Sequence, residues 1–319
     1  MSSLPLSQKR CLIAGGGPAG MMLGFLLARA GVDALVLEKH ADFLRDFRGD
    51  TIHPSTLELM YELGLLDEFL RRPHQKVSEL RGVVNGHSVP IADFSHLSTH
   101  CKFIAFMPQW DFLNFLSEQA QRFPSFDLRM EHEVVDLIFD GERVIGARVK
   151  TPNDTLDVRA DLVVGCDGRS SIVRDRAGFK PREYGAPIDV LWMRISKREP
   201  GTEQTLGFFR HGKLLVLLDR GDYWQVGYVI PKSGFDAVKA RGLSAFQEEL
   251  VSMTDGLRDR VTELDDWKKI KLLTVQINRL RQWCREGLLC IGDAAHAMSP
   301  AGGVESISPF KMRSRLRTC

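Results

Sequence analysis

The sequence predicts an α/β fold: a Rossmann-like domain built on a parallel sheet, with a separate β-sheet domain inserted into it. Three observations predict this. A short apolar run at residues 10–14 (RCLIA) leads into GGGPAG and then a small-residue helical stretch, the opening of a βαβ unit. Two more apolar runs, at 163–165 and 288–291, each run into an Asp/Gly pair, Asp167-Gly168 and Gly292-Asp293. Between them, from residue 188 to about 231, the pattern is strand-rich.

The elements follow in order. Residues 10–14 read as a buried parallel strand. Residues 18–30 (PAGMMLGFLLARA) read as a helix, with Pro18 suited to its first turn and Gly31 to its stop. Residues 33–37 (DALVL) form a second buried strand, and 54–63 and 65–70 look helical. Residues 110–122 are amphipathic, with Asp111 favourable near the helix N-terminus. Residues 132–140, 143–151 and 155–158 read as antiparallel strands, the first two joined at Asp140-Gly141. In the strand-rich block, turns are expected at 210–213 and 219–222. Helices are expected over 243–253 and 255–261, and a strand over 272–278.

Composition narrows the class. The length of 319 residues suits two domains. A net charge of +2 gives no electrostatic case for a nucleic-acid partner. The six cysteines show no CxxC pair and no metal-ligand spacing, so reduced thiols in a cytoplasmic protein are expected, and no metal. The N-terminal MSSLPLSQKR lacks the apolar core of a signal peptide, and no run is long enough to span a membrane.

Gly15-x-Gly17-x-x-Gly20 sits between strand and helix. Gly15 permits the tight turn, Gly17 lets a pyrophosphate reach the backbone, and Gly20 lets the helix pack close. The helix N-terminus adds N–H groups and a positive dipole. Glu38 ends the second strand, where a carboxylate can hold ribose hydroxyls and would repel a phosphorylated ribose despite Lys39 and His40 nearby. A dinucleotide site follows.

GGGPAG at 15–20, VVGCDGRSSIVR at 163–174 and GLLCIGDAAHAMSPAGG at 287–303 occur together in this order. Together they resemble the class A flavoprotein monooxygenases, the aromatic hydroxylases that include p-hydroxybenzoate and phenol hydroxylases. The resemblance covers residues 10–304. It implies FAD as the cofactor, with Asp167 and Gly168 serving its pyrophosphate and incoming NAD(P)H, and Gly292 and Asp293 serving its ribityl chain. Taken without it, each of these turns also reads as an ordinary helix cap. It further implies cofactor roles for Arg48 in FRGDTIHPSTLE and Gln109 in MPQWDFLNFL, a substrate base at Asp50 with His53 a weaker candidate, and Pro300 over the flavin edge. His296 reads as a packing residue.

The implied layout is an FAD-binding domain of residues 1–70, 101–180 and 276–319, and a substrate domain of 71–100 and 181–275. The implied reaction is NAD(P)H- and O2-dependent hydroxylation of an aromatic or related small molecule through a flavin C4a-hydroperoxide. The pattern is compatible with a homodimer. Two alternatives stand beside this: hydroxylation of a prenylated quinone precursor, and an inactive FAD-binding remnant. The strand residues YWQVGYVIP lack the tryptophan doublet of flavin-dependent halogenases, so halogenation is not expected. The aromatics Trp192, Phe208, Phe209, Tyr223, Trp224 and Tyr228 alternate in strand-like runs, so many must fill a sheet core.

After Val304 the family pattern stops. Codons permitted for residues 305–319 can be chosen so that one added upstream base makes them read GINLAIQDAVAAANM, the family's next motif. The expectation is a one-base deletion after the Val304 codon, giving a C-terminally truncated product. The nucleotide sequence checks it: downstream DNA that encodes no such helix in another frame disproves it.

Overall fold

The computed structural model describes residues 8–44, 51–197 and 206–299. The chain forms two compact units, one of Met1–Thr51, Met107–Gly185 and Gln276–Cys319, the other of Ile52–Phe106 and Ala186–Val275. Residues 52–70 and 101–106 therefore group with the second unit, not with the first as the sequence suggested. The reason is pairing: Thr51–Ile52 and Gln75–Val77 flank Ile104–Phe106 in one three-stranded sheet, which ties the helices between them to that sheet.

The first unit is built on a mainly parallel sheet. Gln8–Ala14 lies between Ala34–Glu38 and Thr155–Gly165, parallel to both. Leu288–Cys290 extends it on one side and Phe126–Met130 on the other. The strand Phe126–Met130 was not expected: FDLRM carries two charges and is only half-buried along its length, so it gives no apolar run. Thr155–Gly165 is one continuous strand, where the sequence suggested two. Its burial alternates over its first half, where it pairs antiparallel with Arg143–Lys150, and becomes continuous at Val163–Gly165, where parallel neighbours cover both sides. The helix Pro18–Arg29 packs close to the sheet at Gly24, where an added Cβ would stand 2.7 Å from Val36 Cγ2.

The second unit holds a seven-stranded sheet in the order Lys271–Leu273, Ile188–Ser196, Tyr223–Pro231, Lys213–Asp219, Leu206–Arg210, Glu79–Val84, His87–Asp93. One face buries Leu191, Met193, Ile195, Leu217, Trp224 and Tyr228 against the helix Leu243–Met253. On the other, Trp192, Val216 and Leu218 pack with Phe94, Ile104 and Phe106. Alternation thus sorts the aromatics: Trp224 and Tyr228 fill the core, whereas Trp192 faces the opposite way.

Beneath the helix, buried Glu249 gathers the Tyr228 hydroxyl, Lys213 Nζ and, at 2.8 Å, Arg241 Nη2. Burial pushes the Glu249 carboxyl up, but its bonds to Lys213 and Tyr228 and the Arg241 charge win and hold it below the usual glutamate range. Both basic partners are more than a third exposed, which screens their share. The main loss in Glu249→Ala is the stranded Tyr228 hydroxyl, so unfolding free energy should fall by about 1–2 kcal/mol. A group with a lowered folded pKa contributes above its unfolded pKa and loses that contribution as pH falls through the folded value. The gap between wild type and Glu249→Gln in thermal melts should accordingly narrow below about pH 4; a gap constant with pH counts against an ionised Glu249.

Among the described residues, no helix is long and apolar enough to cross a membrane. Arg48, Asp50, Pro300 and residues 305–319, which carry the reading-frame expectation, lie outside the described residues.

Candidate cofactor site

The site is assembled at the carboxyl ends of three adjacent parallel strands, Gln8–Ala14, Thr155–Gly165 and Leu288–Cys290, where open α/β sheets bind ligands. Each strand runs into one of the three motifs. At the first, Gly15 has φ of 106°, and a Cβ there would fall 2.4 Å from the carbonyl oxygen of Cys166. A Cβ on Gly20 would fall 2.0 Å from the carbonyl oxygen of Gly15. These two glycines are required by the protein's own packing. Gly17 is different: among the described residues, no atom lies within 4 Å of an added Cβ. Gly17 is also the N-cap of Pro18–Arg29, and no side chain caps that helix. Smooth backbone thus meets open space at the positive end of a helix dipole, which suits a pyrophosphate.

Glu38 is held at the strand end. Its Oε2 accepts the Gly16 N–H at 3.0 Å, and its Oε1 accepts the His40 N–H at 3.1 Å and contacts His40 Nδ1. The carboxylate is therefore oriented beside the glycine loop before any ligand arrives. Lys39 is exposed, and Gln109 begins the helix Gln109–Ala120 of the same unit.

Asp167 is turned into the protein. Its Oδ1 accepts the Ser171 hydroxyl, and its Oδ2 accepts the Val173 N–H at 3.1 Å. Ser171 in turn accepts the Arg174 N–H as the cap of the short helix Ile172–Arg176. Burial raises the Asp167 carboxyl above the usual aspartate range, with these hydrogen bonds opposing. The helix-cap reading of this turn is thus realised, and Asp167 stiffens the loop in which Gly168 takes φ of 84°.

The third motif closes on the first two. Gly292, with φ of 59°, abuts the first turn of Pro18–Arg29: an added Cβ would stand 3.0 Å from Ala19 Cβ. Asp293 Oδ2 accepts from Arg169 Nε at 3.1 Å, and both side chains are about a quarter exposed. Sequence reasoning placed Arg169 inside the motif but gave it no task. The signal was a cation directly after Asp167-Gly168, and only the fold shows which carboxylate it meets. Behind the loops, burial pushes the Cys11 and Cys290 thiols up to about 12 and the Cys166 thiol well above its usual value. These are packing groups rather than nucleophiles. His296 is held below the usual histidine range by burial and by Arg279.

This geometry is that of a dinucleotide-binding site, and the residues present fit FAD. The chain belongs to the FAD binding domain family, whose pattern it matches over residues 8–305, and with it to the class A FAD-dependent aromatic monooxygenases. It is 33% identical to 6-methylpretetramide 4-monooxygenase of Streptomyces rimosus over 91% of this chain and 70% of that protein. It is 24% identical to para-nitrophenol 4-monooxygenase of a Pseudomonas strain over 92% of this chain and 73% of that protein. Among solved structures, the fold matches a probable FAD-dependent monooxygenase from Pseudomonas aeruginosa, with a TM-score of 0.78 at 21% identity, covering 95% of this chain and 83% of that one.

Proposed function

We propose that this chain hydroxylates a phenolic, fused-ring aromatic molecule, using FAD, NAD(P)H and O2. The observation that carries the reading is the convergence of three motif loops on one open, glycine-lined edge of the first unit. The ring class rests on the similarity to a 6-methylpretetramide hydroxylase.

In this reading the first unit holds the cofactor and the second the substrate. Gly17 and the amides of the first turn of Pro18–Arg29 bind the pyrophosphate, with Gly15 and Gly20 fixing their position. Glu38, locked by Gly16 and His40, accepts from the adenosine ribose, and Lys39 lies beside it. Arg169 aims Asp293 at the ribityl chain. Gly168 and the stiffened Asp167 loop shape the same edge. Arg48 adds charge for a phosphate, and Gln109 flanks the cofactor. Asp50 takes a proton from a substrate hydroxyl, which makes the ring more nucleophilic, and Pro300 limits how the ring approaches. FAD, once bound, supplies hydride acceptance and oxygen activation. The protein is cytoplasmic in this reading, and a homodimer, which size-exclusion chromatography checks.

The purified chain should be yellow, and phenolic rings should raise its NAD(P)H consumption and yield a product with one added oxygen. Flavin binding without ring-stimulated NAD(P)H consumption would reject the hydroxylase reading and leave a flavin-binding protein.

A further inference from the structure

The first unit carries a second, smaller sheet, Pro181–Glu183, Asn278–Leu280 and His296–Ala297 in that order, whose last strand belongs to the third motif. Arg182 pairs with Arg279, and Arg279 with His296. Paired residues point to one face of a sheet. The other face is the inner one, for Asn278, Leu280 and Ala297 are all buried. Two guanidiniums and an imidazole thus stand in one row on the outer face, across two strand spacings, about 10 Å.

The positive charge continues at one end of the row. Lys180 and Arg281 come two residues from Arg182 and Arg279, the spacing at which an extended chain returns to the same face. The antiparallel register puts both at the same end. Lys180, Arg182 and Arg281 are exposed, and Arg279 and His296 are half-buried.

No negative charge answers these cations. Among the described residues, none of Lys180, Arg182, Arg279 and Arg281 forms an ion pair. The carboxylates close by in sequence are engaged elsewhere: Glu183 Oε1 accepts from Asn278 Nδ2 at 3.0 Å, and Asp293 accepts from Arg169. Each guanidinium of the row lies over a ring instead, Arg182 5.3 Å from the Tyr184 centroid and Arg279 5.6 Å from that of Trp283. Such contacts fix a planar cation and bring no net charge. Like charges set opposite each other weaken a sheet, so this row costs the free protein stability that a bound anion would return.

We propose that the row Arg182, Arg279, His296 takes the phosphates of the reducing coenzyme and makes NADPH preferred to NADH. The proposal rests on the hydroxylase reading, which needs a nicotinamide donor, and adds to it the residues that choose between the two donors. A guanidinium presents paired N–H groups that match phosphate oxygens. The extra phosphate of NADPH brings up to about two more negative charges. Glu38 repels a phosphorylated ribose at the glycine loop; this row has the opposite sign, on the same unit and three residues beyond Asp293.

The test uses the flavin-loaded full chain and titration calorimetry with 2′,5′-ADP, 5′-AMP and inorganic phosphate. Wild type should bind 2′,5′-ADP about tenfold or more tightly than 5′-AMP, the weight of one charge-assisted hydrogen bond. Arg279→Gln should remove most of that advantage. Arg182→Gln, at an exposed position that the fold should tolerate, should reduce it about three- to tenfold. In both variants KM for NADPH should rise more than KM for NADH, with flavin content and melting temperature kept. Equal affinity of wild type for 2′,5′-ADP and 5′-AMP overturns the proposal, as does an undiminished advantage in the two variants. Inorganic phosphate binding as tightly as 2′,5′-ADP overturns the assignment to a coenzyme. If phenolic rings still stimulate NAD(P)H consumption in those cases, the hydroxylase reading survives. If 2′,5′-ADP binds as expected but neither coenzyme reduces the flavin, that reading falls and the row stands as a nucleotide phosphate site.

Discussion

A Gly17→Val chain is expected to fold as the wild type does and to purify without flavin. The two halves of this outcome have separate causes. Gly17 has φ of −72° and ψ of −179°, extended backbone that valine adopts without strain. An added Cβ there has no atom of the described residues within 4 Å. Among the described residues, only the preference for glycine over valine at a helix N-cap favours glycine at this place. What a valine would meet is a group approaching the helix N-terminus from outside. Losing backbone contact with a pyrophosphate should cost more than about 3 kcal/mol, over a hundredfold in FAD affinity. Flavin absorbance per protein and the melting temperature of the flavin-free protein test both halves. Retained flavin would detach this loop from the cofactor. Gly20→Val makes the contrast, because its side chain would collide with the Gly15 carbonyl and unfold the loop itself.

The second large effect is expected at Asp293. Its ion pair with Arg169 is partly exposed, so by itself it adds little to stability. Asp293→Ala should leave the melting temperature of the flavin-free protein almost unchanged. Toward FAD it removes a charge-assisted acceptor, a loss of about 1.5–3 kcal/mol, roughly ten- to over a hundredfold in affinity. Equilibrium titration with FAD measures it. Unaltered affinity would leave Asp293 as a turn residue only. Arg169→Ala should show a smaller loss of the same sign, because it frees the carboxylate without removing it.

The fold was largely legible because its main signals are local. RCLIA, GGGPAG and DALVL each announce an element within a few residues, and all three lie where expected. What escaped was set by distant partners. FDLRM becomes a strand because Ala34–Glu38 offers it a parallel edge, and nothing in its own composition says so. Residues 155–165 hold one strand whose burial pattern changes midway with its neighbours, and a periodicity argument splits it. At the site, the glycines were legible by spacing. The inward turn of Asp167 and the reach of Arg169 were not, since both depend on where other loops end. Trp192 was visible as an aromatic in a strand, but its unmet N–H arises from packing that no spacing encodes.

The continuous strand Thr155–Gly165 also has a consequence for biogenesis. It pairs residue 11 with residue 162 and then waits for Leu288–Cys290. Contacts so distant in sequence form slowly. The strands from Ile188 to Pro231 join mostly near neighbours. As the chain leaves the ribosome, the inserted sheet is thus positioned to mature while its host still stands open. The turn bearing Asp293 arrives after the other two motif loops, so on the proposed role of Asp293 flavin capture is a late event in the life of the nascent chain. A cell short of flavin would then accumulate molecules with a finished insert and an unsealed host sheet, which added flavin pulls toward the native state by mass action.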